Sequence, residues 1–136
     1  MSDSEKWAWW TLGVVAMTVV AYGAFVSFFG HGPATSSVFA LLALTAFPAF
    51  SKRHIQGPTF DEREREIANK ALRAGFSALW LGFISLILAI WFFKGSDTRL
   101  SLPVWTLMET LLWATLLLLG VQSVATIVLY RSAAHA

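Results

Sequence analysis

The chain has 136 residues, of which 57% are hydrophobic and 13% charged, and its mean hydropathy is +0.63. Soluble domains carry about 25% charged residues, so this composition points to a membrane. A formal charge of +2 leaves no nucleic-acid footprint, and the absence of cysteine excludes disulfides, thiolate catalysis and Cys-ligated metal centres.

The first apolar run, Trp7 to Phe29, carries no charge. A spanning helix needs about 20 apolar residues. A secretory signal core is only about 7–15 residues long and follows a basic leader. The leader "MSDSEK" holds two acids and one base, so the run is expected to be a retained helix. The string "GHGP" follows as a tight hairpin, and Pro33 suits the first turn of the next helix. The second run, Ala34 to Phe50, is uncharged and at the short limit for a span.

Between the second and third runs lies most of the charge, ending in "TFDEREREIANKALRAG" from Thr59 to Gly75. Thr59 or Asp61 is placed to N-cap a helix, with Glu62 or Glu64 three residues on. Asp61, Glu62 and Glu64 then occupy the first turn, where the helix dipole favours acids. Asp61–Arg65 and Glu66–Lys70 are i,i+4 pairs with the acid first, the favourable order. Nothing breaks this helix before Gly95, so one helix is predicted from about Asp61 to Phe93. Its charged part, about 61–73, stands in water, and its apolar part, Ala74 to Phe93, spans. Two readings of the charged part stay open: a solvated helix end, or a contact for a partner through Asp61, Glu62, Arg63, Arg65, Glu66 and Lys70.

The same helix carries a seam of small residues, Ala68, Ala71, Gly75, Ala78, Gly82, Ser85 and Ala89, spaced alternately by three and four. Lipid gives helices no hydrophobic reason to associate, so close approach along small residues supplies the contact. Its average period of 3.5 favours a left-handed crossing. A weaker seam runs along the first span through Gly13, Ala16, Val20, Gly23, Ser27 and Gly30, and the two are placed to face each other in parallel. The positions from Ala71 to Ala89 serve either packing within the chain or an interface with a second copy or a larger membrane partner.

The fourth run, Val104 to Tyr130, contains one charge, Glu109. An ionisable residue in a span is a functional candidate. Glu109 is either a proton- or cation-binding carboxylate or an interfacial acid bonded to the hydroxyls of Thr106 and Thr110 or to Lys94 or Arg99. Deeper along the same run, Gln122, Ser123 and Thr126 form a polar patch suited to interhelical hydrogen bonds.

Orientation follows from the bases. With the N-terminus inside, Lys6, Lys52, Arg53, Arg63, Arg65, Lys70, Arg73 and Arg131 are inside and only Lys94 and Arg99 outside, eight against two, as the positive-inside rule requires. The prediction is an all-α, single-domain four-helix membrane bundle with both termini in the cytoplasm. Its spans lie at about 7–29, 34–50, 74–93 and 104–130, and the third helix extends into the cytoplasm. The histidines, His31, His54 and His135, fall in loops or tails, so no paired axial ligands for a haem are expected, and no metal or other cofactor is implied. No HExxH, glycine-rich phosphate loop or GxSxG string occurs, and an enzyme is not expected.

The run "FDEREREIANKALRAG" with its following span resembles a family of small uncharacterised prokaryotic predicted membrane proteins. These have four spans and an Asp-Glu-Arg-Glu run before the third helix. The resemblance covers about Asp61 to Phe93 and the number of spans. It implies a four-helix membrane protein with a partner-binding Asp61–Lys70 segment, and it assigns no catalytic residue. The number of spans is also similar to that of the small multidrug transporters, which place their essential acid in the first span, where this chain has none. The expected role is an accessory or regulatory protein of the inner membrane, embedded in lipid and paired with itself or a larger membrane protein. The alternative is a small proton- or cation-coupled transporter using Glu109.

Overall fold

A computed structural model describes residues 3–46, 62–97 and 99–135. All regular structure among them is helical: α1 (Asp3–Phe29), a 3₁₀ helix η1 (Pro33–Ala46), α2 (Glu62–Lys94) and α3 (Val104–Ala134). The three α-helices have 27, 33 and 31 residues and are long and apolar enough to cross a membrane. The segment expected to cap α2, with Thr59 and Asp61, lies outside the described residues, as do His54 and residues 47–50 of the second apolar run.

That second run departs from expectation. Its described part is a 3₁₀ helix of 14 residues, where runs beyond about four are uncommon. Hydroxyls follow the tighter turn: Ser37 Oγ donates to the Ala34 carbonyl and Thr45 Oγ1 to the Leu42 carbonyl, each at 2.7 Å and three residues back. A 3₁₀ helix rises ~2.0 Å per residue, so 14 residues reach ~28 Å, against ~21 Å in α geometry. The short run thereby gains length close to the ~30 Å of a hydrocarbon core.

Two helices end on glycine in the left-handed region. Gly30 (φ 76°) and Gly95 (φ 85°) each donate their N–H to the carbonyl four residues back, Val26 and Trp91, at 2.9 Å. A Cβ is strained at these angles, and glycine carries none. Gly95 therefore stops α2 where the sequence reading placed the stop.

The order in space is not the order in the chain. α3 packs against α1 on one side and α2 on the other, and η1 lies on α1 and touches α3. Both neighbours run antiparallel to α3. At the end bearing the termini, Arg131 lies 5.6 Å over the Trp9 ring and Arg63 Nη2 donates to the Ala133 carbonyl at 3.1 Å. Trp10 Nε1 donates to the Leu44 carbonyl at 3.0 Å and fastens the start of α1 to the end of η1.

This arrangement corrects the expectation that the small-residue seams of the first and third apolar runs pair with each other. On α1, Gly13, Ala16, Val20, Gly23 and Ser27 are exposed, and a Cβ built at Gly13 or Gly23 meets nothing within 4 Å. α1 instead buries Ala8, Thr11, Val14 and Thr18. The α2 seam faces α3. Ala71 is fully buried, and a Cβ on Gly75 would stand 3.1 Å from both the Leu118 side chain and its carbonyl oxygen. At Gly82 the nearest atom is the Leu117 side chain, also at 3.1 Å. Ala78 and Gly82 are half-buried, while Ser85 and Ala89 are exposed. Packing within the chain thus uses the seam from Ala71 to Gly82. On α3 the buried positions Glu109, Leu116, Ser123 and Ile127 are spaced 7, 7 and 4, the heptad-like stripe of a helix held between neighbours.

Candidate functional site

Glu109 sits in the second turn of α3, at the end of the bundle opposite the termini, and only 4% of it is exposed. A carboxylate so placed must be hydrogen-bonded. The neighbouring threonines do not do this: Thr110 Oγ1 donates to the Thr106 carbonyl at 2.8 Å. Lys94 and Arg99 are exposed. The partners are Tyr22 and His31, from the last two turns of α1 and the turn that follows. The Tyr22 hydroxyl donates to Glu109 Oε1, His31 Nε2 lies 3.5 Å from Glu109 Oε2, and His31 Nδ1 lies 3.2 Å from the Tyr22 oxygen.

Tyrosine has a single O–H, and here it is given to Glu109. His31 lies against both the tyrosine and the carboxylate oxygens, and which of its ring nitrogens donates depends on the tautomer. The imidazole is 54% exposed and the carboxylate is buried, so the histidine is the water-facing member.

Aromatic rings wall the cluster. The Tyr22 ring stands edge-on to Trp113 at 5.0 Å between centroids and is tilted towards Phe39 at 5.4 Å, and Phe39 meets Trp113 edge-on at 5.5 Å. His31 meets Trp105 at 5.2 Å. Such pairs add about 0.5–1.5 kcal/mol each beyond their burial. Thr35, at the start of η1, is buried, and its hydroxyl donates to the Gly32 carbonyl, which closes the turn. One carboxylate thus joins α1, the α1–η1 turn and α3.

The other predicted residues are spread along the molecule. Ala71, Gly75, Ala78 and Gly82 meet α3, while Ser85 and Ala89 lie on the open face of α2. In the charged segment Glu62, Arg63, Arg65, Glu66 and Lys70 are exposed, and Asp61 is outside the described residues. The expected i,i+4 pair forms, with Lys70 Nζ 2.6 Å from Glu66 Oε1. The hydrogen bond from Lys70, and then its charge, hold the Glu66 carboxyl below the usual carboxylate range. Arg63 is committed to the end of α3.

Sequence reasoning singled out Glu109 but missed Tyr22 and His31. A signal was available. The predicted topology brings the end of the first span and the start of the fourth to the same side, and Tyr22 and His31 flank that end of the first span. Among the described residues no group of three or more His, Cys, Asp or Glu is placed to hold a metal ion.

No curated protein and no solved structure matches the chain. The sequence profile of DUF2178, described as a predicted membrane protein, matches residues 4–133. The match takes in all three long apolar helices, η1, and every residue of the Glu109 cluster, and the chain belongs to this family of predicted membrane proteins.

Proposed function

We propose that the protein is a non-enzymatic accessory or regulatory subunit of the inner membrane, with both termini in the cytoplasm, that responds to protons through Glu109. The observation that carries this reading is a buried carboxylate bridged to an exposed imidazole and to a tyrosine on another helix. Histidine is the side chain that ordinarily changes charge between about pH 5 and 8. A change of charge in the cluster alters the contact between α1 and α3. The subunit docks on a larger membrane protein or a second copy of itself. The unpartnered side chains Trp80, Ile84, Ile87 and Trp91 of α2 face lipid or that partner, and Arg65 and Lys70 add a contact in water.

The test is purification from native membranes in mild detergent at pH 5.5 and pH 7.5, with mass spectrometry of what accompanies the protein. A stoichiometric membrane partner is expected, with an occupancy that differs between the two conditions for the wild type and not for Glu109→Gln. A protein recovered without partner at both conditions, in one oligomeric state, would remove this reading.

Coupled transport is the second reading. It is favoured by polar residues at both ends of α3, with Glu109 at one end, Gln122, Ser123 and Thr126 at the other, and buried Leu116 between them. In proteoliposomes it requires a proton flux that Glu109→Gln abolishes.

A further inference from the structure

The termini-bearing end of the bundle holds a cavity of about 230 Å³ between α1, α2 and α3. Its wall includes Trp7, Glu64, Gln122, Ser123, Thr126 and Tyr130. Pockets for drug-sized ligands run to about 300–1,000 Å³, so this one suits something smaller.

The wall is mostly apolar, with a few polar groups set into it. Ser123 is buried, and its hydroxyl proton is given to the Leu119 carbonyl at 2.7 Å. Thr126 gives its proton to the Gln122 carbonyl at 2.8 Å. Each hydroxyl has one proton to donate and two lone pairs, so both oxygens are left to accept. Glu64, in the first turn of α2, adds a carboxylate with no proton to offer when ionised. The Tyr130 hydroxyl is buried and has no hydrogen-bond partner. Trp7 and Tyr130 also bring aromatic carbon, which attracts cations.

We propose that this cavity binds a primary ammonium group. An alkylammonium offers three N–H donors and a positive charge, which matches the Ser123 and Thr126 oxygens, whose protons are already given to backbone carbonyls, one carboxylate and two aromatic rings. Two sources share this chemistry: a free small amine, and the ethanolamine headgroup of a lipid. Trp7 and Trp9 mark the end of an apolar span, the level at which headgroups lie, so either source reaches the site.

The protein is placed in phosphatidylcholine nanodiscs and titrated calorimetrically with ethylammonium, and with tetramethylammonium as a cation lacking N–H donors. Saturable ethylammonium binding is expected, about tenfold or more tighter than tetramethylammonium, since hydrogen bonds to a charged group are at stake. Glu64→Gln is expected to weaken it by about tenfold. Ser123→Ala, which keeps the helix and its packing, is expected to weaken it several-fold. In parallel, native mass spectrometry after exchange into mixed lipid reads whether phosphatidylethanolamine is retained over phosphatidylcholine, and whether Glu64→Gln and Ser123→Ala abolish that retention. Retention without free-amine binding assigns the lipid source, and free-amine binding without retention assigns the soluble one. Equal affinity for the two cations, or neither ligand bound, would overturn the proposal and leave a water-filled cavity.

Discussion

The two sides of α3 are built in different ways. Towards α1 the contact is made by side chains that recognise one another: the Tyr22 hydroxyl on Glu109, His31 against both, and Trp113 edge-on to Tyr22. Towards α2 the contact is made by side chains that are barely there. Ala71 and Gly75 let α2 approach until a Cβ on Gly75 would press on the Leu118 carbonyl at 3.1 Å. The first surface is specific and polar. The second depends on shape alone. In a membrane, where apolar burial drives little association, these are the two available ways to hold helices together, and this chain places one on each side of a single helix.

The largest effect is expected from stripping Glu109 of its partners. The double variant Tyr22→Phe, His31→Gln leaves a buried carboxylate uncompensated, which costs about 3–5 kcal/mol where such pairs have been broken. Thermal unfolding in detergent reads this as a large drop in Tm. Adding Glu109→Gln to the double variant removes the charge and is expected to restore most of the loss. If the third substitution destabilises further, Glu109 is not held as a charge in this cluster.

The shape-dependent side is tested next. Gly75→Val forces a side chain against backbone as well as the Leu118 methyl, and overpacking of this kind costs about 1–3 kcal/mol. Gly82→Ile is expected to cost less, because only the end of the Leu117 side chain must give way. Neither change should alter the contacts of the Glu109 cluster. Ser85→Leu and Ala89→Leu, on the open part of the seam, should leave monomer stability unchanged. If they nevertheless change assembly, the exposed half of the seam is an interface with a partner.

The contact of His31 with Tyr22 and Glu109 separates the two sides again. His31→Gln is expected to weaken α1–α3 packing by about 1 kcal/mol, a value kept small because the ring is half in water. Fluorescence of Trp105 and Trp113, with the other tryptophans replaced by Phe, follows the change. A spectrum unchanged by that substitution would remove His31 from the α1–α3 contact.

How much of this was legible beforehand depends on range. The three long apolar helices, the stop at Gly95 and the Glu66–Lys70 pair follow from neighbours within a few residues, and they stand in the structure as expected. Glu109 was conspicuous because it is the one charge in its run. Its partners lie 78 and 87 residues away, and composition does not reveal which helices meet. The small-residue seams on the first and third runs suggested that those two pair, whereas α3 packs against both. A seam records that close approach is possible and not which helix approaches. The 3₁₀ form of η1 was hidden for another reason, since α and 3₁₀ helices share the same preferences for apolar residues and differ in a hydrogen-bond register that the sequence marks only weakly.

The smallest expected effect distinguishes a structural charge from a docking charge in the segment before the third apolar run. Arg63 Nη2 donates to the Ala133 carbonyl, at the negative end of the α3 dipole, where a cation is favourable. The side chain is exposed, so the gain is about a few tenths of a kcal/mol, too little for a Tm to resolve. Amide hydrogen exchange in the last turn of α3 is the suitable measurement. Arg63→Gln is expected to speed it about twofold, and Arg65→Gln to leave it unchanged. Equal effects from both would mean that diffuse charge, not the hydrogen bond, steadies that turn. Because Arg63 is committed within the chain, reversing Arg63 and Arg65 together would mix a loosened α3 with a lost partner. Arg65→Glu alone is the clean probe of docking, and reduced partner capture with unchanged exchange at Ala133 would assign Arg65 to an external contact.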